Sequence, residues 1–347
     1  MAPELPSISK RSIEIPTNGT RFAPVSYITL GTASGVEKPQ KFAVVWDTGS
    51  SYLLVPARGC IGYDLKKPSF DVTASRTIEF DEMKLTDCSY GTDILTSLKT
   101  CSLSVTDVVE LGTARMRTEF NLTISVANRE FPANGIMGIG SPFHRYKDRG
   151  MFPRILEYYE DTTIFFWTLT FDTPVDQPVE MTGEVSLGFP NFQRFVGHFA
   201  WIPVIPGPFW AFKVDSIQFG RSDTLNTSSV SYALMDTGTT QIYLPRPLFE
   251  QVLRLFPFIY TVGRTEKSYL TECTNLRLVN PFILTVAGQR LRVGNRQLFM
   301  QNMDGLCKFA FYPHDSSIII LGLMFHAPFY VAYDYDPPHV GFATAIH

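Results

Sequence analysis

Asp47-Thr48-Gly49-Ser50 stands at the end of an apolar run, Phe42-Ala43-Val44-Val45-Trp46, and leads through apolar positions to Pro56. The same word returns as Asp236-Thr237-Gly238-Thr239 after Tyr232-Ala233-Leu234-Met235, again ahead of apolar positions and Pro245. Laid over each other, residues 47–56 and 236–245 share Asp, Thr, Gly and Pro at equivalent places. The other differences exchange Ser for Thr or one apolar residue for another, apart from Tyr52 against Gln241. One carboxylate on a turn is ordinary. Two in equivalent frames point to a working pair.

The repeat reaches beyond the turn. Asn134-Gly135-Ile136-Met137-Gly138-Ile139-Gly140 follows the first copy, and Ile318-Ile319-Ile320-Leu321-Gly322-Leu323-Met324 follows the second. Gly138 lies 91 residues after Asp47, and Gly322 lies 86 after Asp236. The chain therefore reads as two diverged copies of one unit. The period is far too long for a solenoid, so two lobes are expected. The natural boundary falls near residues 189–194, giving an N-terminal lobe over 1–192 and a C-terminal lobe over 193–347.

With 347 residues, each half is long enough to bury a core of its own. Hydrophobic residues at 45% against charged residues at 18% describe an ordinary globular chain. The net charge of −3 and the absence of Lys/Arg-rich runs argue against a nucleic-acid partner. The longest apolar stretches, 163–171 and 318–333, are too short or too interrupted to span a bilayer. The six histidines show no ligand spacing, so neither a metal nor another cofactor is expected.

Strand-like runs dominate, at 25–30, 41–46, 51–55, 102–110, 119–127, 164–171, 185–188, 211–219, 279–286 and 329–335. Helical spacing is confined to 246–256, which has a proline near its start, and to a shorter stretch at 152–160. The class is mainly β with a few short helices. Widely spaced cysteines, Cys60, Cys88, Cys101, Cys273 and Cys307, combine with sequons at Asn18, Asn121 and Asn226 to favour the secretory pathway. The opening Met1-Ala2-Pro3-Glu4-Leu5-Pro6 has no signal-peptide character, which suggests a Met placed before a trimmed or mature form. Lys10-Arg11 reads equally as a dibasic processing site and as an exposed charged pair.

A glycine two residues after each Asp permits a tight turn, and the neighbouring hydroxyls can donate around the carboxylate. If the halves meet about a pseudo-twofold axis, Asp47 and Asp236 come close enough to share one proton. Like charges at that range do not both ionise, so one pKa falls and the other rises. One ionised and one neutral carboxyl can activate a water and protonate a carbonyl together, which is acid–base hydrolysis without metal or covalent intermediate. The alternative, that each Asp merely caps its turn, suits an isolated motif better than a duplicated one.

These motifs resemble those of the pepsin-like aspartic proteases, over nearly the whole chain from about residue 22 to 345. The resemblance implies a bilobal acid-protease fold, with Asp47 and Asp236 as the catalytic dyad. Pepsin is itself the known instance of a carboxyl pair sharing one proton, so that logic is carried over with the family. It also implies that Ser50 and Thr239 tune the carboxylates, and that Thr48 and Thr237, beside Gly49 and Gly238, lock the two loops together. Cys88-Ser89-Tyr90-Gly91-Thr92 resembles the family's flap, with Tyr90 closing over the cleft; a surface strand tyrosine is the plainer reading. Cys273 and Cys307 resemble the C-terminal-lobe disulfide.

Departures are equally visible. Leu54 stands where the family often has a Trp that bonds the flap tyrosine, so the adjoining pocket should differ. Cys60 has no cysteine soon after it to close the usual short loop. Cys88 and Cys101 bracket the flap and are the preferred pair, leaving Cys60 free, although Cys60 could capture either. The flap also reads longer than usual and lacks its typical second glycine. The implied function is a secreted or acidic-lumen endopeptidase, made as a zymogen, acting as a monomer on polypeptides and blocked by pepstatin-type inhibitors. A preference for apolar residues at the cut site comes with the family. The rival reading is a catalytically silent pepsin-fold binding or inhibitor-like protein.

Overall fold

The computed structural model describes residues 13–20, 24–32, 39–90, 98–127, 133–142, 151–158, 164–172, 180–222, 224–263, 267–301 and 305–346. The protein is mainly β, as expected. A thirteen-stranded sheet draws on both halves of the sequence. At one end lie Phe195–Pro203, Pro338–Ala345 and Phe329–Tyr335 from the C-terminal half, and the last of these pairs with Ile164–Asp172 from the N-terminal half. The order then continues through Glu180–Leu187, Ile13–Thr20, Val25–Leu30, Gln40–Asp47, Ile136–Gly138 and Leu53–Ile61 to a long meander. That meander consists of Ala114–Ala127, Leu98–Leu111 and Glu79–Tyr90.

The duplicated motifs occupy matching places. Gln40–Asp47 runs parallel to Ile136–Gly138, with Asp47 opposite Gly138, and Ile136–Gly138 runs antiparallel to the start of Leu53–Ile61. In the C-terminal half, Tyr232–Met235 runs parallel to Ile318–Leu321, which is antiparallel to Ile242–Pro245. Each Asp therefore leaves a buried strand at a turn, and the segment ending in Gly passes beside that turn. Four- to eight-residue apolar runs are what strands with two covered faces require, because neither face meets water.

Glycine at 138 and 322 is dictated by how closely these backbones approach. A Cβ at Gly138 would meet Ser51 N at 2.6 Å and also the Tyr52 amide. One at Gly322 would meet Thr239 O at 2.5 Å and run into the Gln241 carbonyl. Backbone cannot swing aside as a side chain can. Gly322→Ala should therefore cost about 2–3 kcal/mol or more and displace the Asp236 loop. Chemical denaturation, read beside an exposed Ser→Ala control, checks this; equal midpoints would contradict it.

The helix predicted at 246–256 is present as Arg246–Leu255, which buries Leu248, Phe249 and Val252 on one face. Met151–Tyr158 is the second. The strand expected at 211–219 divides into Ala211–Phe212 and Ser216–Phe219, which belong to different sheets. Asp215 lies in the gap between them, its carboxylate accepting from Gly288 N at 2.9 Å, where the chain crosses from one sheet to the other. Where the two halves share a sheet, Phe165 stacks on Tyr333 with ring centroids 4.6 Å apart, and Trp210 meets Tyr333 and Tyr335 edge-on. These rings form an apolar floor beneath the turns.

Candidate active site

The two turns meet at the junction of the halves, held by a reciprocal exchange between Thr48 and Thr237. Thr48 N donates to Thr237 Oγ1 and Thr237 N donates to Thr48 Oγ1, both at 3.0 Å. The hydroxyls then donate across the junction, Thr48 to Met235 O at 2.8 Å and Thr237 to Trp46 O at 2.7 Å. Both threonines are fully buried, so every one of these polar groups needs its partner. Serine could make the same bonds but would leave its methyl's space empty.

Above this lock the carboxyls converge. Gly49 N donates to Asp47 Oδ1 at 2.9 Å and Ser50 Oγ to Asp47 Oδ2 at 2.5 Å. The second loop repeats the pattern, with Gly238 N to Asp236 Oδ1 at 3.0 Å and Thr239 Oγ1 to Asp236 Oδ2 at 2.7 Å. Each glycine packs against the opposite acid. A Cβ on Gly49 would lie 2.7 Å from Asp236 Oδ1, and one on Gly238 would lie 2.5 Å from Asp47 Oδ1. Any side chain at either position would push the acids apart.

Each carboxyl lies within reach of the other's charge. Burial raises the pKa of both. For Asp236, burial acts together with the charge of Asp47 to push the value up to about 8. For Asp47, the Ser50 hydroxyl, the Asp236 carboxyl and the Gly49 amide partly offset burial by stabilising its anion. Asp236 is therefore held protonated under acidic conditions, while the loop donors favour the carboxylate form at Asp47. Such an arrangement can take a proton from one group and give one to another in the same encounter.

Beneath the lock lies a buried pair that the sequence reading did not single out. His326 Nδ1 is 2.9 Å from Gly322 O and its Nε2 is 2.7 Å from the Tyr333 hydroxyl. A carbonyl only accepts, so Nδ1 carries the hydrogen and Tyr333 donates to Nε2. Burial drives the His326 pKa down to about 4, so the ring is neutral in this arrangement. Tyr333 also interacts with the Thr48 side chain and with the charge of Asp236. Two further side chains of the C-terminal half hold the Gly138 segment: Trp210 Nε1 donates to Ile139 O at 2.8 Å, and Tyr335 OH to Gly140 O at 2.7 Å. The only sequence signal for His326 was its place four residues after Gly322, which is no motif by itself.

The eight residues expected in the two loops, Asp47, Thr48, Gly49, Ser50, Asp236, Thr237, Gly238 and Thr239, thus share one site. Tyr90 closes the strand Glu79–Tyr90 opposite Leu98, but its side chain, Gly91 and Thr92 lie outside the described residues. Leu54 is buried, as an apolar residue at that position would be. Cys273 and Cys307 form a disulfide, 34 residues apart. The backbone register sets Cys88 opposite Thr100 and Cys101 opposite Asp87, and the Cys88 side chain lies outside the described residues. Cys60 is a buried free thiol whose pKa burial raises to about 11, so it stays protonated and inert. Among the described residues no group of His, Cys, Asp or Glu is arranged to hold a metal ion. No helix among them is long and apolar enough to cross a membrane.

Matched acid-bearing turns and a bilobal β fold define the pepsin type of acid protease. Residues 25–345 match the family model of the eukaryotic aspartyl proteases, and the chain belongs to that family. Cathepsin E-B of Xenopus laevis is 26% identical, the match covering 92% of this chain and 78% of the relative. Cathepsin D of Gallus gallus is 27% identical, over 89% and 78% respectively. A probable vacuolar protease A of Trichophyton verrucosum is 25% identical, over 92% and 78%.

Proposed function

We propose that the chain is an aspartic endopeptidase whose catalytic dyad is Asp47 and Asp236. The apposition of the two acids, each packed against the opposite loop's glycine and framed by a matched set of loop donors, carries this reading. Asp47, as carboxylate, takes a proton from the attacking water while Asp236 gives its proton to the substrate carbonyl oxygen. The water oxygen bonds to the carbonyl carbon and leaves a neutral gem-diol. Asp47 then passes its proton to the amide nitrogen, the C–N bond breaks, and a diol hydroxyl returns a proton to Asp236. Atoms and charge balance, and the pair ends as it began.

Ser50 and Thr239 hold each carboxyl in its plane, and the threonine lock fixes the distance between them. Residues 1–192 and 193–347 are the two lobes, and the substrate runs extended between them under a flap carrying Tyr90, Gly91 and Thr92. Apolar residues flank the cut bond, and the enzyme works as a monomer sensitive to pepstatin-type inhibitors. Family and relatives together place it in a secreted or acidic-lumen setting. Incubation with a denatured globular protein at pH 3 to 6, with and without pepstatin, tests the whole reading. Pepstatin-sensitive fragments are expected. No cleavage at any of these pH values would leave a silent pepsin-fold binder.

Tyr333 gives a subtler expectation. Tyr333→Phe keeps the ring stack on Phe165 but leaves His326 Nε2 buried without a donor, which costs about 1–3 kcal/mol. Because Gly322 and Thr48 back the two catalytic turns, kcat should fall several-fold with KM little changed. Steady-state kinetics beside a thermal melt separates the two effects, and unchanged values of both would remove His326 and Tyr333 from the site.

A further inference from the structure

The three sequons are not equivalent once folded. Asn226-Thr227-Ser228 lies in a surface connection, with both Asn226 and Ser228 exposed. Its backbone is pinned to the helix Arg246–Leu255: Asn226 N donates to Gln251 Oε1 at 2.9 Å, and Gln251 Nε2 returns a bond to Asn226 O at 3.1 Å. Ser228 N donates to Asn226 Oδ1 at 2.9 Å. That bond turns the amide oxygen toward the chain, and among the described residues the Nδ2 has no partner. A nitrogen so placed can carry a bulky polar group into water with no loss of packing.

Asn121 presents the opposite case. It sits inside the strand Ala114–Ala127, paired with Ser104 on one side and Leu54 on the other, and is 4% exposed. Its Nδ2 is buried with no hydrogen-bond partner, and the Thr123 hydroxyl that completes the sequon is buried against Ser102 Oγ at 3.1 Å. A sugar on that nitrogen would have to enter a close-packed sheet, which folded interiors do not accommodate. Asn18 lies in Ile13–Thr20, and its side chain is outside the described residues.

We propose that Asn226 is an N-glycosylation site of this protein and that Asn121 is not. The donor is a lipid-pyrophosphate-linked oligosaccharide. Asn226 Nδ2 attacks the anomeric carbon and a C–N bond forms. The anomeric C–O bond to the pyrophosphate breaks, the lipid pyrophosphate leaves with the electron pair, and the amide nitrogen gives up one proton to the transferring enzyme. The modification is independent of the proteolytic chemistry, since neither the loop nor Gln251 belongs to the dyad or its lock.

The test is full-chain expression behind a secretion leader in yeast or insect cells, followed by peptide mapping of the secreted protein. Enzymatic removal of the glycan in heavy-oxygen water should convert Asn226 to labelled Asp and leave Asn121 unlabelled. Asn226→Gln also removes the Asx hydrogen bond, so Ser228→Ala is the cleaner variant: it destroys the sequon and keeps the Ser228 amide. Ser228→Ala should abolish labelling at Asn226 while the thermal midpoint of enzymatically deglycosylated protein stays unchanged. Unlabelled Asn226 in the secreted wild type, labelling of Asn226 in Ser228→Ala, or labelling of Asn121 would each overturn the assignment.

Discussion

Asp236→Asn protein should fold, retain the Thr48–Thr237 lock, and cleave a denatured substrate on the order of 10³-fold more slowly or worse. The carboxamide matches the carboxyl in shape; with one acceptor oxygen it can keep the Gly238 amide bond made at Oδ1, while its nitrogen takes the Oδ2 position and donates to the Thr239 hydroxyl instead of accepting from it. What it lacks is an acidic proton to give to the substrate carbonyl. Single-turnover assays with active-site titration by pepstatin distinguish a slow chemical step from a damaged cleft. Pepstatin binding kept with turnover lost is the expected pattern. Turnover within about tenfold of wild type would refute the dyad.

The contribution of Asp236 to stability should fall as the pH rises from about 4 to about 8. Asp236 has a folded pKa raised to about 8, against 3.8 for the unfolded chain. The folded state therefore holds more protons than the unfolded state across this window. A raised pKa contributes stability that is complete below the unfolded value and is lost as pH climbs toward the folded one. The loss approaches about 1.4 kcal/mol per pH unit in mid-window, or a few degrees of melting temperature per unit for a chain of this size. Asp47, raised in the same direction by burial, adds to the acid side of the window.

Activity should decline as the pH approaches 8, where Asp236 loses its proton and with it the general acid. The two predictions meet in one experiment. Asn at 236 does not ionise, so the Asp236→Asn melting curve should lose the fall toward pH 8 and should lie above wild type near neutrality. Parallel curves for the two proteins would show that Asp236 does not titrate with folding. His326, lowered to about 4 by burial, works in the reverse sense. Its depressed pKa favours folding above the unfolded value near 6.5 and costs stability as pH falls from there toward 4. From about 4 to 6.5 the His326 gain offsets the Asp236 loss, so the wild-type fall is expected between about 6.5 and 8.

Much of this site was legible in one dimension because its parts are local. A carboxylate, a glycine two residues later and a hydroxyl three residues later close their hydrogen bonds within a single turn, so their spacing survives as text. Gly138 and Gly322 were visible for a related reason: each has to pass flush against the backbone of its own turn, which excludes every side chain. The Cys273–Cys307 bridge was implied by family resemblance. The strand expected at 211–219 was not divided in advance, because an apolar run says that a segment is buried and not which sheet covers it. Nor did Asn121 declare itself buried, since a sequon reads the same on a sheet and on a loop.

The amino-acid order alone determined that two like units exist, that each presents one acid on a tight turn, and that the chain is built chiefly of short strands. These depend on neighbours within a few residues, where sequence distance and spatial distance agree. Only the tertiary structure decided which carboxyl keeps the proton, because that follows from the burial of each acid, its loop donors and the opposing charge. The same holds for His326 and Tyr333, which reach both turns only after Phe329–Tyr335 has paired with a strand from the other half. Contacts made across some 190 residues of chain, such as Thr48 with Thr237, follow from how two sheets meet, and no local spacing records that.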